Sequence, residues 1–151
     1  MEINKKAYYL RESEIKSEIE QMLFNLKPYI VCIITEDVIE NQLRNFLAEI
    51  LVRSGCRSMH ALGPDASEWD DILDETVLFL NDYNRLTDDQ KIMTTFSVEE
   101  SLRSFIYASI YTLNYSDLVF SNIVFFDFYE TSKYNEILQE LDLLEIPLGT
   151  T

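Results

Sequence analysis

The sequence predicts an α/β protein, a three-layer α-β-α sandwich with about five helices and a four-stranded, mostly parallel sheet. Short apolar runs alternate along the chain with segments of helical periodicity, the pattern of parallel strands joined by helices. Two of the runs, YIVCIIT at 29–35 and NIVFFDF at 122–128, do not alternate polar and apolar residues, which is typical of strands covered on both faces. The 151 residues suit one domain spanning 1–151. The expected strand order is 2-1-3-4.

The first half of the chain shows recognisable element boundaries. Pro28 disfavours helical geometry in the residue before it and ends the first helix. Thr35 is expected to cap the second helix, and Gly55 to end it. The predicted elements are, in order, a helix over 13–26, a strand over 29–35, a helix with an apolar stripe from Ile39 to Leu51, and a strand over 58–63.

The second half repeats the alternation. Ser67 is expected to cap a helix whose inward residues include Trp69 and Leu73. Ser97 and Glu100 match the capping-box pattern, which predicts the start of the next helix. The predicted elements are a helix from Ser67, a strand over 91–96, a helix from Ser97, a strand over 122–128, and a closing helix over 134–141.

The net charge limits the classes of partner that the protein is expected to bind. Twenty-seven acidic residues against twelve basic ones give a formal net charge of −15 and an isoelectric point near 4.3. Nucleic acid and anionic membrane surfaces would be repelled by such a surface, so neither is expected as a partner. A basic protein would be attracted, and long-range attraction speeds its association. The alternative is that the acidity only keeps the protein soluble.

The compartment expected from the sequence is the cytoplasm. Cys32 and Cys56 are too few and too unevenly placed for a disulfide framework. The lysines near the N-terminus are followed by no apolar stretch of a signal peptide. No apolar run approaches the roughly 18 residues that a membrane span needs.

The strand-to-helix junction in KIMTTFSVEESL, residues 91–102, is where open α/β proteins often bind phosphates. Phosphate binding normally needs glycines for close backbone approach and a basic residue. Only Gly63 lies near any of the predicted junctions, and carboxylates such as Glu36, Asp37 and Glu100 occupy the expected first helical turns. We therefore predict a fold connection without a nucleotide or other cofactor.

Catalysis and metal binding have weak sequence support. His60 is the only histidine, and we expect it to be a half-buried strand residue satisfied by hydrogen bonds. Asp65, Thr95 and Asp127 follow or end predicted strands, so they define an alternative: a small enzyme or a cation site at the carboxyl edge of the sheet. No spacing among them matches a known metal motif. No catalytic or metal-binding residue is assigned.

The acidic segment between Ser58 and Asn84 has no lysine or arginine. Asp71, Asp74 and Glu75 follow helical spacing, which places like charges on one outward face, an arrangement that destabilises a helix slightly. A docking face for a basic partner explains these neighbouring like charges. The alternative is a helix face that is only solvated. Trp69 also fits a position in the core. The predicted partner-binding residues are Asp65, Glu68, Trp69, Asp71, Asp74, Glu75, Asp82 and Tyr83.

A resemblance supports the protein-binding interpretation. CRSMHALGPDASEWDDILDE followed by KIMTTFSVEESLRSFIYAS resembles small acidic bacterial α/β proteins in which a Trp-Asp pair precedes a Met-Thr-Thr-aromatic strand. In size, acidity and compactness the chain is also similar to immunity proteins of contact-dependent growth inhibition and other polymorphic toxin systems. That resemblance implies neutralisation of a cognate toxin, commonly a basic nuclease, by occlusion of its active site. An acidic regulatory adaptor is the remaining alternative.

Overall fold

The computed structural model describes residues 5–115 and 120–150, which form a parallel β-sheet with helices on both faces. The α/β class and the five α-helices are as predicted. The elements are β1 (Lys6–Arg11), a 3-10 turn (Glu12–Glu14), α1 (Ile19–Phe24), β2 (Tyr29–Ile34), α2 (Asn41–Arg53), β3 (Cys56–Leu62), α3 (Ala66–Leu80), a 3-10 turn (Asp88–Gln90), β4 (Met93–Ser97), α4 (Leu102–Tyr115), β5 (Asn122–Asp127) and α5 (Tyr134–Leu143).

The strand order corrects the prediction. The sheet has five strands in the order β1-β5-β2-β3-β4 instead of four in the order 2-1-3-4, and every neighbouring pair is parallel. The additional strand, β1, was missed because its burial is mixed, with Tyr8 and Tyr9 half-buried. The two continuously apolar strands, β2 and β5, are neighbours in the interior of the sheet, where both faces of each strand are covered.

Helices α1, α2 and α3 cover one face of the sheet, and α4 and α5 cover the other. The first face is packed by residues such as Leu23, Leu47 and Leu73. The second is packed by residues such as Ile106 and Ile137. This division follows because connections between parallel strands are right-handed. Helices α2 and α3 lead the chain towards β4, whereas α4 returns it in the opposite direction to β5, so α4 lies on the other face of the sheet. Among the described residues, no helix has the length and apolar character needed to cross a membrane.

Four predicted helix starts are wrong. Helix α1 begins at Ile19 and not at residue 13, because β1 is followed by the 3-10 turn Glu12–Glu14. Helix α2 begins at Asn41, and the hydroxyl of Thr35 donates instead to Asp65 Oδ1 at 2.8 Å. Helix α3 begins one residue before Ser67. At α4, Ser101 and not Ser97 is the cap: its hydroxyl accepts a hydrogen bond from the Ser104 N–H at 3.1 Å, while Ser97 ends β4. Thr35 follows β2 directly and Ser97 ends β4, and an extended backbone there suits the strand as well as a cap, whereas Ser67 lies inside the first turn of α3.

The two edges of the sheet differ. At the β1 edge the C-terminal segment adds a short parallel bridge between Ala7 and Leu148. Ala7 donates to the Pro147 carbonyl at 2.9 Å, and Gly149 donates to the Ala7 carbonyl at 2.7 Å. At the β4 edge, no strand among the described residues pairs with the outer side.

Candidate functional site

Helix α3 is fixed at its N-terminal end by a buried polar cluster around Asp65. The Asp65 carboxylate accepts hydrogen bonds from the Thr35 hydroxyl at 2.8 Å, the Ile39 N–H at 2.9 Å and the Arg44 guanidinium at 3.0 Å. Gly63 makes room for the cluster, because a β-carbon there would lie 1.9 Å from the Thr35 hydroxyl oxygen. The sequence placed Asp65 on the docking surface; that assignment is wrong, since Asp65 is buried.

Trp69 is also in the interior. Its side chain is 1% exposed and its ring centroid lies 5.9 Å from that of Phe128, in the core beneath α3. Its position one helical turn before Leu73, itself buried, explains why it points inward. The assignment of Trp69 as an exposed aromatic anchor is therefore wrong, and its alternative as a core residue is the one observed.

The remaining predicted residues are exposed and lie on or just after α3. They are Glu68, Asp71, Asp74, Glu75, Asp82 and Tyr83. Glu68 receives a hydrogen bond from Arg44 at 2.9 Å, so its charge is partly offset by a guanidinium that it shares with Asp65. Within the described part of the chain, no lysine or arginine nitrogen lies within 4.0 Å of the carboxylates of Asp71, Asp74 or Glu75. We call the exposed surface of Asp71, Asp74, Glu75, Leu78, Phe79, Asp82 and Tyr83 the α3 face.

Like charges lie close together on the α3 face. Partial burial raises the pKa of Asp74, and the charges of Asp70 and Asp71 raise it further. A raised carboxyl pKa means that the folded protein disfavours this charge. The face therefore carries negative charge that the rest of the described protein leaves uncompensated.

An exposed aromatic pair adjoins these carboxylates. Phe79 is 58% exposed and Tyr83 is 68% exposed, and their ring centroids lie 6.4 Å apart in an edge-to-face arrangement. Leu78 beside them is 40% exposed. The sequence analysis did not include Phe79 among the partner-binding residues. Its helical position lies outside the inward stripe of Leu73 and Val77, and this position indicated an aromatic side chain that does not pack in the core.

The backbone after α3 holds Tyr83 in an uncommon conformation. Asp82 has a φ of 52° and Tyr83 a φ of 56°, both in the left-handed region that favours glycine. The turn closes the helix, with the Tyr83 N–H donating to the Leu78 carbonyl at 2.8 Å. Two consecutive non-glycine residues in this region store strain, and such strain is found disproportionately at functional sites.

A cleft of about 660 Å³ lies at the carboxyl ends of β1, β5 and β2. The chain leaves β2 and β5 in opposite directions, so this is the switch point where α/β proteins commonly bind ligands. Its lining includes Arg11, Glu12, Ser13, Glu36, Asp37, Leu43, Asp127, Phe128, Tyr129 and Glu130. Four of these carboxylates are exposed, and the Arg11 guanidinium lies 3.1 Å from Asp127, so the cleft opposes anionic ligands.

The alternative carboxylate site does not assemble. Asp65 is held in the cluster described above. Asp127 accepts hydrogen bonds from the Tyr9 hydroxyl at 2.5 Å and from the N–H groups of Tyr129 at 2.9 Å and Lys133 at 2.7 Å. Thr95 instead contacts His60. The three residues have separate partners, and the described residues include no group of three or more metal-binding side chains suited to a metal ion.

His60 lies in a strand and has hydrogen-bond partners, as the sequence predicted, but it is buried instead of half-buried. Its Nδ1 lies 2.7 Å from the Thr95 hydroxyl and its Nε2 lies 3.1 Å from the Ser58 hydroxyl. Burial lowers the pKa of His60 to about 4, so the ring is neutral at physiological pH. Cys32 and Cys56 are buried, and burial raises the pKa of each thiol to about 12, which makes both poor nucleophiles.

Comparison with known proteins places the chain in a family. No curated protein and no solved structure matches it significantly. A family model described as a domain of unknown function, DUF7684, matches residues 8–142, from β1 to α5. Because that match covers most of the chain, including the sheet and the α3 face, the protein belongs to the DUF7684 family.

Proposed function

We propose that this protein is a binding module for a basic protein and that the α3 face is its docking surface. One observation carries the proposal: on the α3 face, uncompensated carboxylates lie next to an exposed aromatic pair. The carboxylates are those of Asp71, Asp74 and Glu75, and the aromatic pair is Phe79 and Tyr83. Carboxylates steer a cationic partner, and aromatic side chains supply the buried anchors that dominate binding energy.

The biological role that we propose is immunity: neutralisation of a cognate toxin, of the basic nuclease type, within the cytoplasm. An acidic face of this kind fits the cationic cleft with which a nuclease holds its substrate. Occlusion of that cleft requires no catalytic step, so the proposal assigns none. An acidic regulatory adaptor would use the same surface on a different basic partner.

The test measures binding kinetics with the cognate partner, supplied by the neighbouring gene or by a pull-down from the native host. Replacing Asp71, Asp74 and Glu75 by lysine should slow association about tenfold or more, because steering is lost. Raising the salt concentration should slow association of the unmodified protein in the same direction. Replacing Phe79 by alanine should instead accelerate dissociation, by roughly thirtyfold if it is an anchor worth about 2 kcal/mol.

A matched control separates local charge from net charge. Replacing Glu136, Asp142 and Glu145 by lysine changes the net charge equally, on exposed positions at and after α5. This control should associate at close to the rate of the unmodified protein. The α3 face is refuted as the docking surface if both triple variants slow association equally, or if only the α5 variant does.

A further inference from the structure

A buried histidine lies beside a second pocket, on the face of the sheet opposite α3. His60 pairs in register with Cys32 of β2 and with Thr95 of β4, so the three side chains project from the same face of the sheet. Cys32 belongs to the core cluster that contains Ile106 of α4. The side chains of this row therefore face α4, and the α3 face lies on the other side of the protein.

His60 connects two hydroxyl groups. Its Nε2 lies 3.1 Å from the Ser58 hydroxyl and its Nδ1 lies 2.7 Å from the Thr95 hydroxyl, and we call these three groups the His60 relay. A neutral imidazole has one N–H donor and one acceptor nitrogen, and each hydroxyl has one proton. Three protons thus serve two hydrogen bonds, and the third proton needs an acceptor outside the relay.

Burial determines which end of the relay carries that third proton. Ser58 is fully buried, and within the described part of the chain the His60 ring is the one hydrogen-bond partner of its hydroxyl. A buried donor without an acceptor is costly, so the Ser58 hydroxyl donates to Nε2 and the Nδ1–H donates to Thr95. Thr95 is exposed, and its hydroxyl proton is the one left for an acceptor outside the relay.

Thr95 lines a pocket of about 250 Å³ between α4 and the strands β3 and β4. Phe96, Phe105 and Ala108 give this pocket apolar walls, and Glu100 contributes a carboxylate. No lysine or arginine nitrogen of the described residues lies within 4.0 Å of Glu100. The pocket therefore combines a hydroxyl donor, a charged acceptor and apolar surface, the combination typical of small-molecule sites.

We propose that this pocket binds a small uncharged carboxamide. The carbonyl oxygen of the ligand accepts a hydrogen bond from Thr95, its amide nitrogen donates to Glu100, and its apolar part packs against Phe96 and Phe105. A carboxylate ligand is disfavoured, because it lacks the N–H donor and is repelled by Glu100. Burial lowers the pKa of His60 to about 4, and a titratable group perturbed in this way beside a pocket is typical of functional sites.

The first experiment measures the tautomer of His60 by nitrogen-15 NMR of the whole protein. His60 is the only histidine in the sequence, so its ring signals are unambiguous. We expect the proton on Nδ1, which is the direction that leaves Thr95 as a free donor. A proton on Nε2 would mean that Thr95 donates to the ring, and it would overturn the proposal.

The second experiment titrates the protein with benzamide and, separately, with benzoate, which has the same shape and a negative charge. Benzamide should shift the His60 ring signals in a saturable way, and benzoate should bind about tenfold more weakly or worse. Glu100→Gln removes the repelling charge and should reduce this preference. Absence of any saturable shift with benzamide would show that solvent alone satisfies Thr95, and the proposal would fail.

Two matched variants locate the site. Thr95→Val removes the donor and should weaken benzamide binding roughly threefold to tenfold, the range for one uncharged hydrogen bond. Thr94→Val is the control, because Thr94 pairs with Met59, which packs on the α3 side of the sheet. Equal affinity of both variants for benzamide contradicts the proposal. Because the pocket and the α3 face lie on opposite sides of the sheet, the docking proposal is tested separately.

Discussion

The guanidinium of Arg44 lies 3.0 Å from the carboxylate of Asp65, and both side chains are buried. This pair joins α2 to the residue that precedes α3. The same guanidinium nitrogen lies 2.9 Å from Glu68, in the first turn of α3. The orientation of the α3 face thus depends on one arginine that the face itself does not contain.

We expect Arg44→Met to lower the free energy of unfolding by about 3–5 kcal/mol, because it leaves Asp65 as an uncompensated buried charge. The matched control is Arg53→Met, since Arg53 pairs with Glu20 and Glu49 at the surface. Loss of such exposed pairs changes stability by about 1 kcal/mol or less. Urea denaturation measures the free energy of unfolding of both variants. Equal losses would show that the buried Arg44 pair contributes no more to stability than the exposed pairs of Arg53.

Stability should fall as the pH drops from 6.5 towards 4, because of His60. Its pKa is lowered to about 4 in the folded protein, so the unfolded chain binds a proton first and unfolding becomes more favourable across this range. A difference of this size corresponds to about 3 kcal/mol. His60→Gln should flatten the dependence between pH 6.5 and 5, where carboxyl groups contribute least. If the free energy of unfolding of that variant, measured in urea, still depends on pH as in the unmodified protein, a group other than His60 causes the effect.

Tyr9→Phe should destabilise the carboxyl end of β5. The Tyr9 hydroxyl donates to Asp127 at 2.5 Å, and a hydrogen bond to a buried charged group contributes about 1.5–3 kcal/mol. Tyr134 is the control, because its ring packs edge-to-face on Tyr9 with the centroids 5.0 Å apart. Tyr134→Phe keeps that packing and should leave the thermal unfolding midpoint nearly unchanged. A similar loss in both variants would mean that the loss is not specific to the hydrogen bond between Tyr9 and Asp127.

Tyr83 should prove more important for binding than for stability. Asparagine tolerates the left-handed backbone better than tyrosine does, and this gain offsets the lost ring contact with Phe79. Tyr83→Asn should therefore stay within about 1 kcal/mol of the unmodified protein and be more stable than Tyr83→Ala. Affinity for the basic partner should fall at least tenfold in both variants. A Tyr83→Asn protein that is no more stable than Tyr83→Ala would argue against backbone strain.

The candidate site was only partly predictable. Asp71, Asp74 and Glu75 were placed outward by helical spacing alone, and they are exposed. Asp65 was wrongly predicted on the docking surface because its partner Arg44 lies 21 residues earlier in the chain. No local sequence pattern indicates that pairing. Phe79 was missed because an outward aromatic residue has no periodic signature of its own.

The sequence by itself determined the layers of this protein. Continuous apolar runs such as YIVCII at 29–34 must be covered on both faces, and helical stripes between the runs supply the cover, so the class follows from local composition. Only the tertiary structure decided that β5 lies between β1 and β2, which edge is left open, and which carboxylates are neutralised. Those outcomes depend on contacts between residues distant in the chain, and the energies of such contacts are not encoded in any short window of residues.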